Sequence, residues 1–153
     1  MTKNLKEALN FKEADVQLRE KIRKQGLSLG FDWVGFTGAT ENLTHQYYQK
    51  WLDEGFAGEM HYLHKHSPQK ASSQKVLDSA QTVIAVACNY FHDGTPSKKF
   101  QDSSRGRFSR YSMGEDYHLV LKERLKEFRK WLLKEGLASG FEQTRVYVDT
   151  GPL

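Results

Sequence analysis

The chain of 153 residues is the size of one ordinary domain, long enough to bury roughly two-thirds of the surface it exposes when unfolded. With 38% hydrophobic and 27% charged residues it is expected to fold, to be soluble and to stay in the cytoplasm: its longest apolar run, Val83 to Cys88, is far below the roughly 20 residues of a membrane span, and the first residues carry no apolar secretory segment. The single cysteine, Cys88, excludes a disulfide framework or a thiolate-ligated zinc or iron–sulfur site built from this chain alone, and the net charge of +4 favours polyanions as partners.

Asn10 and Glu13 form a plausible capping pair for a first helix in which Ala14, Leu18 and Ile22 recur at fourfold spacing until Gly26. Phe31 to Phe36 is short, apolar and aromatic, and reads as a buried strand. Helical spacing returns from Thr44 to Glu54 and ends at Gly55; Glu59 to His66 fits another short helix, and Pro68 to Ser73 a polar break. Thr82 to Tyr90 is the clearest strand, a β-branched and small-residue run expected to be buried on both faces at the centre of a sheet. His92 to Gly106 reads as loop.

Ser112 and Glu115 then make a capping box for a long helix with the apolar stripe Tyr117, Val120, Leu121, Leu125, Phe128 and Leu132, closed by Lys134 and Gly136. Thr144 to Val148 is expected to be a third strand. The pattern predicts a single α/β domain with a small buried sheet flanked by helices.

Several groups of residues have chemical potential, each with a plainer alternative. His61 and His64 share a helical face and would suit zinc, but Glu59 is the only carboxylate close by, so a solvated turn is preferred and no metal site is assigned. Cys88 reads as a small core filler, since an activated thiolate needs a neighbouring cation and exposure. Lys98, Lys99, Arg105, Arg107 and Arg110 interleave with Phe100, Phe108 and Tyr111, the mix used on single-stranded nucleic acid, and a solvated loop explains the charges equally well. Asp149 stands at the end of the third expected strand, before Gly-Pro, where α/β sheets place reactive groups.

Four strings occur together in the order and approximate spacing of the epoxyqueuosine reductases. They are Gly55-Phe-Ala-Gly58-Glu-Met-His-Tyr62, the strand Val83 to Tyr90, Phe108-Ser-Arg-Tyr-Ser-Met-Gly114-Glu-Asp-Tyr-His118, and Tyr147-Val-Asp-Thr-Gly-Pro-Leu153. The chain resembles that family over about residues 14 to 153, most specifically in S-R-Y-x-x-G-x-D-Y-H and V-D-x-x-P-L. The resemblance implies a cobalamin- and iron–sulfur-dependent oxidoreductase, related to reductive dehalogenases, that reduces epoxyqueuosine to queuosine at the wobble position of tRNA.

By the same resemblance Asp149 is the proton donor, and Arg110, Tyr111, Tyr117 and His118, with Asp116, lie near the cobalamin or the tRNA. Lys70 would be a further cofactor contact, at a position where the family commonly has arginine; it keeps the charge and loses the planar fork. A carboxylic acid that protonates a departing oxygen needs a poorly hydrated setting, which is therefore expected around Asp149.

Family members continue through cysteine-rich segments that hold two [4Fe–4S] clusters and a helical repeat region that helps grip tRNA. The resemblance thus implies that residues 1–153 are the N-terminal cobalamin-binding domain, truncated before the iron–sulfur domain, monomeric, and inactive as a reductase by itself. The competing readings are a stand-alone RNA-binding or cobalamin-binding module without redox activity, and an organohalide reductase, disfavoured because no twin-arginine signal is present.

Overall fold

A computed structural model describes residues 3–91, 106, 108–112 and 114–149. Helix α1 runs from Lys3 to Ser28 and leads into strand β1, Trp33–Gly38. It starts earlier than the Asn10 cap predicts, because the segment before Asn10 holds no helix breaker and is rich in good helix formers. At its other end Gly30 adopts φ 86°, a left-handed turn that a side chain would strain, and the amide of Phe31 closes onto the carbonyl of Gly26 at 3.3 Å.

Helix α2, His45–Asp53, and the short helix α3, His61–Lys65, follow where the spacing places them. The expected polar break is instead a one-turn helix α4, Ser67–Lys70, and a 3-10 turn, Ser73–Lys75. Pro68 falls in the first turn of α4, where a missing N–H costs nothing, so the proline starts a helix there.

Strand β2, Thr82–Ala87, pairs antiparallel with β1 in the register Val34↔Val86, Phe36↔Ile84 and Gly38↔Thr82. Among the described residues the sheet has only these two strands, so Thr144 to Val148, expected as a third, is not part of it. The expectation that β2 is buried on both faces also fails: Val83, Ile84 and Val86 are half-buried while Thr82, Ala85 and Ala87 are exposed. A run of small apolar residues serves equally well on an open face, and only one face of this ladder is covered.

That covered face carries the core. Ile22 of α1, Phe31, Val34 of β1 and Phe128 are buried together, with Phe36, Ile84, Val86, Cys88, Leu121, Leu125, Trp131 and Leu132 packed around them. Phe128 belongs to the long helix α5, Tyr117–Lys134; its ring lies 6.2 Å from that of Phe31 and 6.2 Å from that of Trp131. The arrangement is mixed α/β, with α1 and α5 on one side of a small sheet. No helix among the described residues is long and apolar enough to cross a membrane.

Helix α5 ends as its sequence implies. Gly136 takes φ 69°, and the amide of Leu137 reaches back to the carbonyl of Leu132 at 2.9 Å. Its start differs from the expected Ser112/Glu115 box: Asp116 is the cap, its Oδ1 accepting from the backbone N–H of His118 at 2.9 Å. Ser112 lies in a separate 3-10 turn, Arg110–Ser112, and donates to the carbonyl of Ser109. An aspartate two residues before an available amide takes the capping role from a serine farther upstream.

Candidate active site at the start of helix α5

Because Asp116 sets the first residue of α5, Tyr117 and His118 stand together in its first turn, their rings stacked at 4.1 Å. Both reach Asp149, which follows the extended stretch after α5. The phenol of Tyr117 donates to Asp149 Oδ2 at 2.6 Å, and His118 Nε2 lies 3.1 Å from Asp149 Oδ1. The other ring nitrogen, Nδ1, lies 2.8 Å from Asp116 Oδ1, so the imidazole is held between two carboxylates.

The electrostatics follow from these bonds. The hydrogen bond to Asp149, with some loss of hydration and the nearby negative charge, pushes the Tyr117 phenol up to about 12, so it is a protonated donor at neutral pH. The His118 side-chain bond, then its backbone N–H, hold Asp116 below the usual carboxylate value.

The site is open. The Asp149 side chain is 55% exposed, contrary to the poorly hydrated setting expected for it. The reason is geometric: Asp149 is reached by two side chains from the first turn of one helix, and their contacts leave more than half of it facing solvent.

Aromatic rings extend the cluster outward. Tyr111 meets Tyr117 edge to face at 5.9 Å, and Tyr90, just past β2, meets Tyr111 in the same way at 6.4 Å. Tyr90 and Tyr111 are both exposed. Tyr90 has no place among the expected site residues; an aromatic closing the clearest expected strand is the signal that could have marked it. Arg110 lies in the 3-10 turn beside Tyr111. Lys70 is placed in a different set of contacts, its ammonium 5.8 Å from the centre of the Tyr48 ring and its carbonyl accepting from Asn42.

The basic loop positions Lys98, Lys99, Phe100, Arg105 and Arg107 fall outside the described residues. Among the described residues no three His, Cys, Asp or Glu side chains converge as metal ligands. Cys88 lies beside the core, its Sγ 3.6 Å from the carbonyl of Gly30 and 3.6 Å from Arg124 Nη1. Arg124 also donates to the Gly30 carbonyl at 2.7 Å, tying α5 to the turn after α1 and so fixing where the α5 start sits.

Comparison with known proteins bears on this arrangement. Residues 70–150 match a family described as epoxyqueuosine reductase QueG, DUF1730. An epoxyqueuosine reductase of Atelocyanobacterium thalassa is 33% identical over 141 residues, covering 90% of this chain and 43% of that protein. The Escherichia coli K12 protein of the same name is 32% identical over 138 residues, covering 90% of this chain and 36% of its own length. A solved structure of epoxyqueuosine reductase from Streptococcus thermophilus superposes with a TM-score of 0.53 at 26% identity, covering 74% of this chain and 30% of that one. The chain therefore spans well under half the length of these relatives.

Proposed function

Since the chain belongs to the epoxyqueuosine reductase family, we propose that residues 1–153 form the cobalamin-binding part of a cytoplasmic enzyme that reduces epoxyqueuosine to queuosine at the wobble position of tRNA, with Asp149 as its proton donor. The observation that carries this reading is the convergence of Tyr117 Oη and His118 Nε2 on the Asp149 carboxylate.

Removing an epoxide oxygen consumes two electrons and two protons: both C–O bonds break, the oxygen leaves as water, and a carbon–carbon double bond remains. A group that protonates the oxygen as it departs is therefore required. Asp149 is open to an incoming substrate, and a proton given up at its carboxyl can be replaced from solvent or through the imidazole at 3.1 Å, while the Tyr117 phenol, pushed up to about 12, keeps its proton and orients the carboxyl across the 2.6 Å bond. Asp116, below the usual carboxylate value, holds the far side of that imidazole.

The exposed rings of Tyr90 and Tyr111, set edge to face beyond Tyr117, offer apolar surface on the approach to the carboxylate against which a corrinoid macrocycle would pack; when bound, that group would supply the electrons. Tyr117 adds its ring to this surface, whereas Arg110 and Lys70 are contacts by family resemblance alone. His118 does not fit as a cobalt ligand in this arrangement, because each ring nitrogen already faces a carboxylate. The residues do not fit the family's two [4Fe–4S] clusters, which take about four thiolates each, because the chain has one cysteine. The isolated chain is accordingly read as a corrinoid-binding part that does not turn over by itself.

The test is replacement of Asp149 by Asn in a complete epoxyqueuosine reductase carrying these residues, expressed where no other such enzyme is present, with tRNA nucleosides read by mass spectrometry. The nearly isosteric amide should keep cobalamin bound, seen in its visible spectrum, and slow queuosine formation by about 100-fold or more. Undiminished queuosine formation in that variant would remove Asp149 from the role.

A further inference from the structure

Beyond the site, the exposed side of α5 carries a regular feature. Lys122, Lys126, Lys130 and Lys134 recur every fourth residue, and all four are exposed. On an α-helix that spacing places them in one row, about 6 Å apart and about 18 Å from first to last. The helix's two arginines are directed elsewhere: Arg124 to the Gly30 carbonyl and Cys88, Arg129 to Thr144 and the Phe141 carbonyl. The row is thus made of lysines alone and begins one turn beyond His118.

Its acidic neighbours do not cancel it. Glu123 pairs with Lys126 at 2.5 Å and Glu127 with Lys130 at 2.6 Å, while Lys122 and Lys134 have no ion pair among the described residues. Glu135 is engaged by Lys21 of α1 at 2.5 Å. Exposed pairs three residues apart contribute little, so their lysines can turn to a stronger anion. A lysine ammonium reaching a phosphate is such an anion contact, and releasing condensed counterions adds to it.

We infer that the Lys122–Lys126–Lys130–Lys134 row of α5 is a track for the phosphate backbone of RNA, along which the tRNA lies when its modified nucleoside is at Asp149. Charge complementarity argues for it, as does continuity: the row and the proposed proton donor's partners belong to one helix, so a nucleic acid strand leaving the site meets the row within a turn. The inference rests on the tRNA reading above, and its contacts are to phosphate and independent of base sequence.

Binding of the 153-residue chain to a fluorescently labelled tRNA anticodon stem-loop, followed by anisotropy over a series of KCl concentrations, tests it. Unmodified RNA is the probe, so the outcome does not depend on any reductase activity. The variant K122Q/K126Q/K130Q/K134Q removes the four charges with a residue of similar helix propensity. A second variant, K24Q/K50Q/K65Q/K75Q, removes the same net charge at exposed lysines off the row.

The salt slope of log Kd should fall by about 3 in the first variant, with affinity at least about tenfold weaker near 0.1 M salt, and should change far less in the second. Equal losses in both would overturn the track and leave only net charge. No loss in the first, or no binding by the unaltered chain, would overturn it too. Circular dichroism on each variant shows that the helices persist. A complete enzyme carrying K122Q/K126Q/K130Q/K134Q that forms queuosine at the unaltered rate would also overturn the track, and would leave the role of Asp149 standing.

Discussion

Tyr117 and Asp149, 32 residues apart in the chain, share a hydrogen bond of 2.6 Å in which the phenol is the donor. The bond joins the first turn of α5 to the segment beyond its end, and it has a measurable signature. One tyrosine should titrate late, at about 12, when phenolate absorbance is followed against pH. Since this value is raised, the stabilising contribution is complete below the ordinary tyrosine value near 10 and is lost as pH rises through about 12. Asp149→Asn should return that tyrosine toward the ordinary range; an unchanged late titration in the variant would mean that another group causes it.

The Asp116 cap should show the opposite pH dependence. Its carboxyl is held low by His118, so its contribution is present above the ordinary aspartate value near 4 and is lost as pH falls through the lowered one. Asp116→Ala should lower Tm by a few degrees at pH 7, and the difference from the unaltered protein should shrink in strong acid. A difference that stays constant down to strong acid would show that the carboxylate is not what caps α5.

Gly26→Ala should destabilise the fold even though it replaces a helical glycine. A Cβ there would stand 2.5 Å from Cγ2 of the buried Val34. The helix-propensity gain is up to about 1 kcal/mol, whereas overpacking costs about 1–3 kcal/mol, so a net loss near 1 kcal/mol is expected in urea denaturation. A more stable variant would mean that α1 and β1 can separate at this contact without penalty.

Phe128→Ala should be the most damaging single truncation of α5. The ring is 3% exposed and packs on Phe31 and Trp131. Loss of about 3–5 kcal/mol is expected, a large share of the stability of a domain this size. Leu119→Ala on the same helix, at a position 66% exposed, should change stability by less than about 1 kcal/mol.

Arg124→Met should loosen the link between α5 and the turn at Gly30. The guanidinium donates to the Gly30 carbonyl at 2.7 Å and stands 3.6 Å from Cys88 Sγ. Methionine keeps much of the apolar stem and removes the donor. Removing this donor should cost about 1 kcal/mol in urea denaturation, while Lys126→Met, an exposed control, should change stability by less than about 0.5 kcal/mol.

Much of the local structure was legible in the sequence because it depends on neighbours in the chain. The four- and three-residue spacing of Leu121, Leu125 and Phe128 describes α5, and Gly136 marks its end, since helix periodicity and a left-handed closing residue are short-range requirements. Asp149, Tyr117 and His118 could be singled out through motifs that resemble a family, and the family match bears out that resemblance. Cys88 as the only thiolate already excluded a cluster built from this chain.

Long-range relationships were decided by the tertiary structure. The run from Val83 to Cys88 is apolar whichever faces are covered, and only the packing of α1 and α5 on one side of the ladder leaves Ala85 and Ala87 exposed. Thr144 to Val148 has strand composition, but joining a sheet requires a neighbouring edge, a property of the whole fold. The openness of Asp149 and the holding of His118 between two carboxylates have the same origin: burial and the partners of a side chain depend on residues brought together through space, which spacing along the chain does not encode.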